Sequence, residues 1–357
     1  MIAIVNKRVN TRLDATTASK KLIPREVGES FEVKKLAPGE MLRGNRIWAF
    51  DEKGKSNWSG ALNLDYGKII TNQSNLYKLF QINKIWNYTT GENVKVCLVD
   101  SGIKQTSSLT GSVKKFDDSV VGGSMHGTYM AEIIAAFDFE NSYYGIAPNT
   151  EIKSIKVDPS NFTSDSLYKI LNENRDADIF NFSLNNRNPS FENNVEIGSN
   201  LSSILDEFQM NNKILVGATG NQRMKEIGFK FYPASLKSFI SVAGTNYLSS
   251  SVVQFYSSSN IWEDKHILAP ASKCFISNKG EYKEFEEGTS VACAFLSGVL
   301  SLIISACKKN GVTTYKAVIN NFFDDLPKTE VKVVGGVINC KYVNIDSLHK
   351  LISKIQS

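Results

Sequence analysis

Ser290 lies in Gly288-Thr289-Ser290, a polar triplet that runs directly into an apolar stretch, 291–304. A serine at the mouth of a helix has two chemical advantages. Its backbone N–H is one of the donors the helix leaves unsatisfied, and the helix dipole favours negative charge developing beside it. Both suit a nucleophile; the plain alternative is that Thr289 or Ser290 caps the helix. Three other residues bear on the choice. Asp100 follows the apolar run 94–99, Asn221 follows 214–220, and His126 opens His126-Gly127-Thr128. Taken singly, Asp100-Ser101-Gly102 reads as a turn, His126 as a helix-start donor and Gly220-Asn221 as a loop. Together they offer a carboxylate, an imidazole, an amide and a hydroxyl, in the chain order Asp, His, Asn, Ser, at element ends that could share one edge of a sheet.

The elements that must position these groups alternate in type. Apolar, strand-like runs occur at 94–99, 151–157, 179–184, 213–217 and 239–244, and helix-length segments at 126–137, 164–174 and 201–211 lie between most of them. This pattern predicts an α/β fold with a doubly wound, mostly parallel sheet buried on both faces. In such sheets the working residues collect at the carboxyl ends of strands. The stretch 291–304 is apolar on every face and holds no Pro or acidic residue, which predicts a buried core helix.

At 357 residues the chain is long enough for one large domain and a small one. Its 41 basic and 36 acidic residues give +5 without a basic run, so neither nucleic acid nor a membrane surface is implied as a partner. The N-terminus, Met1 to Arg8, has too short an apolar run for a signal peptide, and the helix after Ser290 reads as too brief and serine-broken to span a bilayer. The cysteines Cys97, Cys274, Cys293, Cys307 and Cys340 are odd in number, lack metal-ligand spacing and fall mostly in apolar runs. They read as buried free thiols, which points to a reducing, cytoplasmic compartment; the alternative is secretion with a signal removed.

Residues 1–65 carry short β-like runs and no helical period. Ser30-Phe31-Glu32-Val33 and Arg46-Ile47-Trp48-Ala49-Phe50 alternate, and Pro38-Gly39 and Lys53-Gly54 are turn signals. A small all-β barrel over 1–65 is expected, with 66–357 as the second domain. Val9-Asn10-Thr11-Arg12, Glu26-Val27-Gly28-Glu29, Trp48 and Trp58 resemble bacterial SH3 domains, although the family's G-W-V ending is here Asn57-Trp58-Ser59. The resemblance implies an SH3-like barrel that docks a partner or a cell-wall ligand; a purely structural module is the alternative.

From about Thr71 to the C-terminus the chain resembles the subtilisin-like serine proteases, the subtilase family (peptidase S8). Val99-Asp100-Ser101-Gly102-Ile103 resembles its aspartate motif, His126-Gly127-Thr128 its histidine motif, and Gly288-Thr289-Ser290 with Ala292 and Ser297-Gly298 its serine motif. Gly145-Ile146-Ala147-Pro148 is similar to its turn after the histidine, and Gly335-Gly336-Val337-Ile338-Asn339 to its closing segment. The order Asp, His, Ser is that of subtilisin and not of chymotrypsin or the α/β-hydrolases. The resemblance implies a serine endopeptidase acting on protein or peptide substrates. Ser290 would attack, His126 would take its proton and later protonate the leaving amine, and Asp100 would fix the imidazole tautomer. The Asn221 side-chain amide and the Ser290 backbone N–H would donate to the oxyanion.

Departures from the family pattern are informative. Val291 and Ala294 replace the usual Met and Pro, and Cys293 and Phe295 are also atypical, which alters packing more than chemistry. Ser183, Leu184 and Asn185, with Gly220, fall where the family binds substrate, but the glycines usual after the leucine are missing, so specificity does not carry over. No cofactor is required by this chemistry. Asp138, Glu140 and Asn141 occupy a loop that binds calcium in some relatives, a candidate calcium site with an ordinary polar loop as the alternative. A family pro-segment is commonly an α/β ferredoxin-like unit, and the missing helical period in 1–65 argues against one. His266 and His349 read as surface or satisfied histidines. The alternative function is a catalytically silent, subtilase-fold binding protein.

Overall fold

The computed structural model describes residues 1–66, 80–140, 143–184, 198–223, 231–248, 252–263, 265–272 and 287–356. The N-terminal unit is two small antiparallel sheets. Strands β1 (Ile2–Val5), β2 (Ser30–Glu32) and β6 (Leu62–Leu64) form one in the order β2-β1-β6, and β3 (Lys35–Leu42), β4 (Asn45–Phe50) and β5 (Ser56–Trp58) form the other in the order β3-β4-β5. Alternation in β1 buries Ala3 and Val5 and exposes Ile2 and Ile4, the period-2 signature of a sheet with one wet face. β4 differs: Asn45 to Ala49 are all buried, because one side of this strand packs within its own unit and the other against the rest of the chain.

The large sheet contains β7 (Lys95–Asp100), β10 (Glu151–Lys156), β11 (Ile179–Phe182), β12 (Ile214–Ala218), β13 (Phe239–Tyr247), β14 (Val253–Phe255), β15 (Ile267–Pro270), β16 (Lys328–Val333) and β17 (Gly336–Tyr342). Its order is β10-β7-β11-β12-β13-β15-β17-β16, with β14 pairing onto β13; the pairs from β10 to β17 are parallel, and β16 and β14 run antiparallel. A two-residue hairpin, β8 (Phe137–Asp138) with β9 (Tyr143–Tyr144), ends the first crossover. The antiparallel β16–β17 hairpin and β14 were not foreseen from apolar runs, since their faces are partly exposed.

The helices α1 (His126–Ala135), α2 (Ser164–Glu173), α3 (Ser199–Met210), α4 (Thr289–Lys309), α5 (Tyr315–Asp324) and α6 (Ile345–Gln356) cover both faces. Val96 and Leu98 point into the core shared with α1, α4, α5 and α6, whereas Cys97 and Val99 point into the core shared with α2 and α3. That alternation explains why β7 reads as an unbroken apolar run. Ahead of β7, residues 82–85 form one helical turn.

α4 corrects an expectation. At 21 residues it is long and apolar enough, by length and composition, to cross a membrane, and what marks it as a core helix is that 94% of its most apolar window is buried inside the protein. Its serines do not break it. Ser297 and Ser301 donate to the carbonyls four residues earlier, Cys293 and Ser297, at 3.0 and 2.8 Å, so their hydroxyls are satisfied within the helix.

Candidate active site

The chain leaves β7 for β10 on one side and then returns to β11 on the other, so the crevice between β7 and β11 is a topological switch point. Asp100 is the last residue of β7, Ser183 and Leu184 follow β11, and Gly220 and Asn221 follow β12. Ser290 is the second residue of α4, and His126 is the first of α1. All seven line one cavity of about 710 Å³.

His126 Nδ1 lies 2.8 Å from Asp100 Oδ1 and 3.0 Å from Oδ2. Asp100 is 3% exposed, so its carboxylate meets the ring with little competing water. The Ser101 backbone N–H donates to Asp100 Oδ1 at 2.6 Å, and Ser101 Oγ accepts the Gly127 N–H at 3.1 Å, which ties the strand end to the first turn of α1. A carboxylate on Nδ1 holds the proton there and leaves Nε2 as the basic nitrogen. Ser290 Oγ donates to the Ser183 carbonyl at 3.0 Å, and Ser183 Oγ donates to the Ser290 carbonyl at 3.2 Å. The helix start is therefore latched to the end of β11.

Neither Thr289 nor Ser290 is the N-cap of α4. Gly288 holds that position at φ +147, and Thr289 Oγ1 instead accepts the Gly220 N–H at 2.9 Å. Asn221 Oδ1 accepts the Thr289 N–H at 2.9 Å. These bonds fix the loop after β12 against the mouth of α4. A hydroxyl, an imidazole held by a carboxylate and a side-chain amide thus line one cavity at the positive end of a buried helix, an arrangement suited to acyl transfer.

The sequence model of the subtilase family matches residues 91–335. The chain belongs to the subtilase family. It is 27% identical over 236 residues to Subtilisin NAT of Bacillus subtilis subsp. natto, covering 60% of this chain and 56% of that protein. It is similarly 27% identical to the subtilisin of Bacillus pumilus (60% and 78% covered), and 26% identical over 250 residues to an intracellular serine protease of Paenibacillus polymyxa (63% and 71% covered). The chain thus spans about half the length of Subtilisin NAT. Among solved structures, the prenylagaramide maturation protease PagA superposes with a TM-score of 0.62 at 24% identity, covering 76% of this chain and 98% of that one. The A-subunit of the AB5 toxin from E. coli gives 0.59 at 20%, covering 79% and 99%. At these identities the structural likeness speaks for the subtilase fold.

The structure brings Asp100, His126, Asn221, Ser290, Ser183, Leu184 and Gly220 of this subtilase together; Asn185 lies outside the described residues. Sequence reasoning missed Asn181. Its Nδ2 donates to Ser297 Oγ at 2.9 Å and to Cys293 Sγ at 3.3 Å, and its Oδ1 accepts from Ser183 Oγ at 2.8 Å, a buried polar network directly behind the first turns of the Ser290 helix. The signal was a lone Asn inside Ile179-Phe180-Asn181-Phe182, since a fully buried amide needs such partners. Cys293, atypical for the family, belongs to this network, and burial pushes its thiol up to about 12. Asp158, Pro159 and Ser160 also line the cavity unforeseen.

The four described cysteines, Cys97, Cys293, Cys307 and Cys340, are buried with no disulfide among them, while Cys274 lies outside the described residues. His266 is not at the surface. It is fully buried edge-on to Trp262, accepts the Trp262 N–H on Nε2 at 3.3 Å, and burial lowers its pKa to about 3. Of the residues suggested for calcium, two are described. Asp138 accepts from Ser107, Glu140 pairs with Lys35, and Asn141 lies outside the described residues. Among the described residues, no group of three His, Cys, Asp or Glu side chains converges on a metal position.

Proposed function

We propose that this subtilase is a serine endopeptidase that hydrolyses peptide bonds through an acyl-enzyme on Ser290. The observation that carries this reading is the His126 ring held at 2.8 and 3.0 Å by the Asp100 carboxylate in the same cavity as Ser290. In the reaction the Ser290 hydroxyl exchanges the Ser183 carbonyl for His126 Nε2, which takes its proton as Oγ attacks. The resulting imidazolium is stabilised by Asp100 and returns the proton to the leaving amine. Asn221 Nδ2 and the Ser290 N–H donate to the oxyanion, where the helix dipole adds to them. Ser183 and Leu184, at the open end of β11, would pair with substrate backbone in extended form, and Gly220 would leave room beside it. The substrate is a protein or peptide.

The N-terminal residues 1–65 are read, within the same proposal, as an SH3-like β-barrel domain that also docks a partner. In support, the unit carries a cleft of about 440 Å³ where the loop residues Lys7, Arg8, Arg12 and Arg43 meet Trp48 of β4 and Trp58 of β5. The test of the catalytic reading is labelling by a fluorophosphonate probe, with peptide-library profiling alongside. Wild type should label and cleave, and Ser290→Ala should do neither while melting at the same temperature. A folded wild-type chain that neither labels nor cleaves would leave the silent, subtilase-fold binding protein as the better account.

A further inference from the structure

Arg46 is the second residue of β4 in the N-terminal unit, yet its side chain is buried completely among residues of the protease unit. Every partner of the guanidinium is a backbone carbonyl. Nε donates to Pro148 O at 3.0 Å, Nη2 to Pro148 O at 2.5 Å and to Ala135 O at 3.1 Å, and Nη1 to Thr110 O. The Arg46 backbone N–H donates to Asn149 Oδ1 at 2.9 Å, and Asn149 Nδ2 donates in turn to Asn45 Oδ1 at 3.2 Å and Thr90 Oγ1 at 2.7 Å. Among the described residues, no carboxylate pairs with Arg46. Burial lowers its pKa to about 9, so it remains a cation at neutral pH, and a buried cation is tolerated only where its donors are met.

The carbonyls it meets are not arbitrary. Ala135 is the last residue of α1, the helix that starts at His126. A helix leaves its final carbonyls unsatisfied and partly negative. Here the Ile146 N–H serves Ile133 O at 2.9 Å, the Ala147 N–H serves Ile134 O at 2.8 Å, and the Gly145 N–H serves Ala136 O at 2.8 Å. Ala135 O is the one in this series served by a side chain, and that side chain comes from the other unit. The channel is shaped for it: at Gly111, φ +88, a Cβ would lie 3.2 Å from Arg46 Cδ and Nη1. The hydrophobic core is also continuous, with Val5, Leu36 and Ile47 in one cluster with Ile133, Ile134 and Ile146.

We infer that Arg46 is a positioning residue for the proposed general base, completing the C-terminal end of the His126 helix, and that the N-terminal β unit is a permanent part of the catalytic unit and not a segment the working enzyme sheds. The inference about His126 rests on the protease reading above. α1 is a rigid rod fixed at one end by Arg46 and presenting His126 at the other. Loosening its far end lets the imidazole drift relative to Ser290 while the substrate groove beyond β11 and β12 stays in place.

The experiment compares full-length wild type, Arg46→Met and Arg46→Lys on a short neutral peptide substrate. Arg46→Met keeps the stem and loses the donors, and Arg46→Lys keeps the charge but cannot span the carbonyls. Per site titrated with fluorophosphonate, kcat should fall about tenfold or more in Arg46→Met with KM little changed, and Arg46→Lys should recover part of the loss. A folded Arg46→Met enzyme with wild-type kcat overturns the positioning role. A second measurement needs no variant: in native-state hydrogen exchange of wild type, the amides of β4 should open together with those of Ile146 and Ala147. Opening of β4 well before the helix end overturns the permanent union of the two units. Wild type without any turnover would refute the protease reading instead, and the exchange result would still decide the union.

Discussion

Asn221 Oδ1 accepts the backbone N–H of Thr289 at 2.9 Å. Only the oxygen end of an amide can take that bond, so it sets which end of Asn221 meets the helix start and leaves Nδ2 as a donor in the cavity that Ser290 also lines. In the proposed mechanism this orients the oxyanion donor before substrate arrives, and such a donor contributes mostly when charge has built on the carbonyl oxygen.

Asn221→Ala is expected to lower kcat by about 10²–10³ and to leave KM nearly unchanged. Asn221→Asp retains the acceptor for Thr289 while losing the donor, so its kcat should fall as well. Kinetics and melting temperature on one preparation check this; a folded Asn221→Ala enzyme with wild-type kcat removes Asn221 from the mechanism.

Gly288 sits at φ +147, and a Cβ there would lie 2.6 Å from Asn221 Nδ2 and 3.0 Å from its Oδ1. Gly288→Ala should therefore lose stability through backbone strain, by about 1–3 kcal/mol, and also displace the Asn221 amide. Thermal melting reads the first effect. A kcat loss per labelled site, alongside a retained KM, reads the second.

Burial lowers the His266 pKa to about 3 in the folded chain, whereas the unfolded chain protonates it near the ordinary histidine value of 6.5. The unfolded state thus binds the extra proton between these limits, and stability falls as pH drops through that window, by up to about 1.4 kcal/mol per unit. His266→Phe should flatten this acid limb. Urea denaturation at a series of pH values between 3 and 7 checks it, and an unchanged slope would refute the assignment.

Glu92, 6% exposed, accepts Lys309 Nζ at 3.0 Å, Ser305 Oγ at 3.1 Å and the Thr90 N–H at 2.9 Å. Burial alone would raise its pKa, but the Lys309 charge and these donors together bring it below the usual carboxylate value. A lowered folded pKa contributes stability above the unfolded value and loses it as pH falls. Lys309→Met should therefore destabilise by about 2 kcal/mol at neutral pH, less than for a fully buried pair because Lys309 is 38% exposed. The difference from wild type should shrink at acid pH, and Lys309→Met/Glu92→Gln should regain part of it in urea melts.

Asp100, His126, Asn221 and Ser290 were legible from the chain because strand ends and helix starts announce themselves locally: an apolar run stops, or a polar triplet precedes one. The parallel α/β core was legible for the same reason, since β7, β10, β11, β12 and β13 and the helices α1 to α3 all carry period signals within a few residues of their observed bounds. Asn181 and Asp158 were not read as site residues, although Asn181 lies within an expected strand and Asp158 just beyond one. Their roles depend on what faces them across the sheet.

The sequence by itself determined the order Asp, His, Asn, Ser, the α/β class and the family likeness, because those depend on short-range patterns. Only the tertiary structure decided that Thr289 holds Gly220 and does not cap its helix, that His266 is a neutral core residue, and that Arg46 ends in the carbonyls of the His126 helix. The physical reason is that an uncompensated charge or polar group is tolerated inside a protein only where distant groups converge to meet it, and Arg46 and Ala135 stand 89 positions apart in the chain.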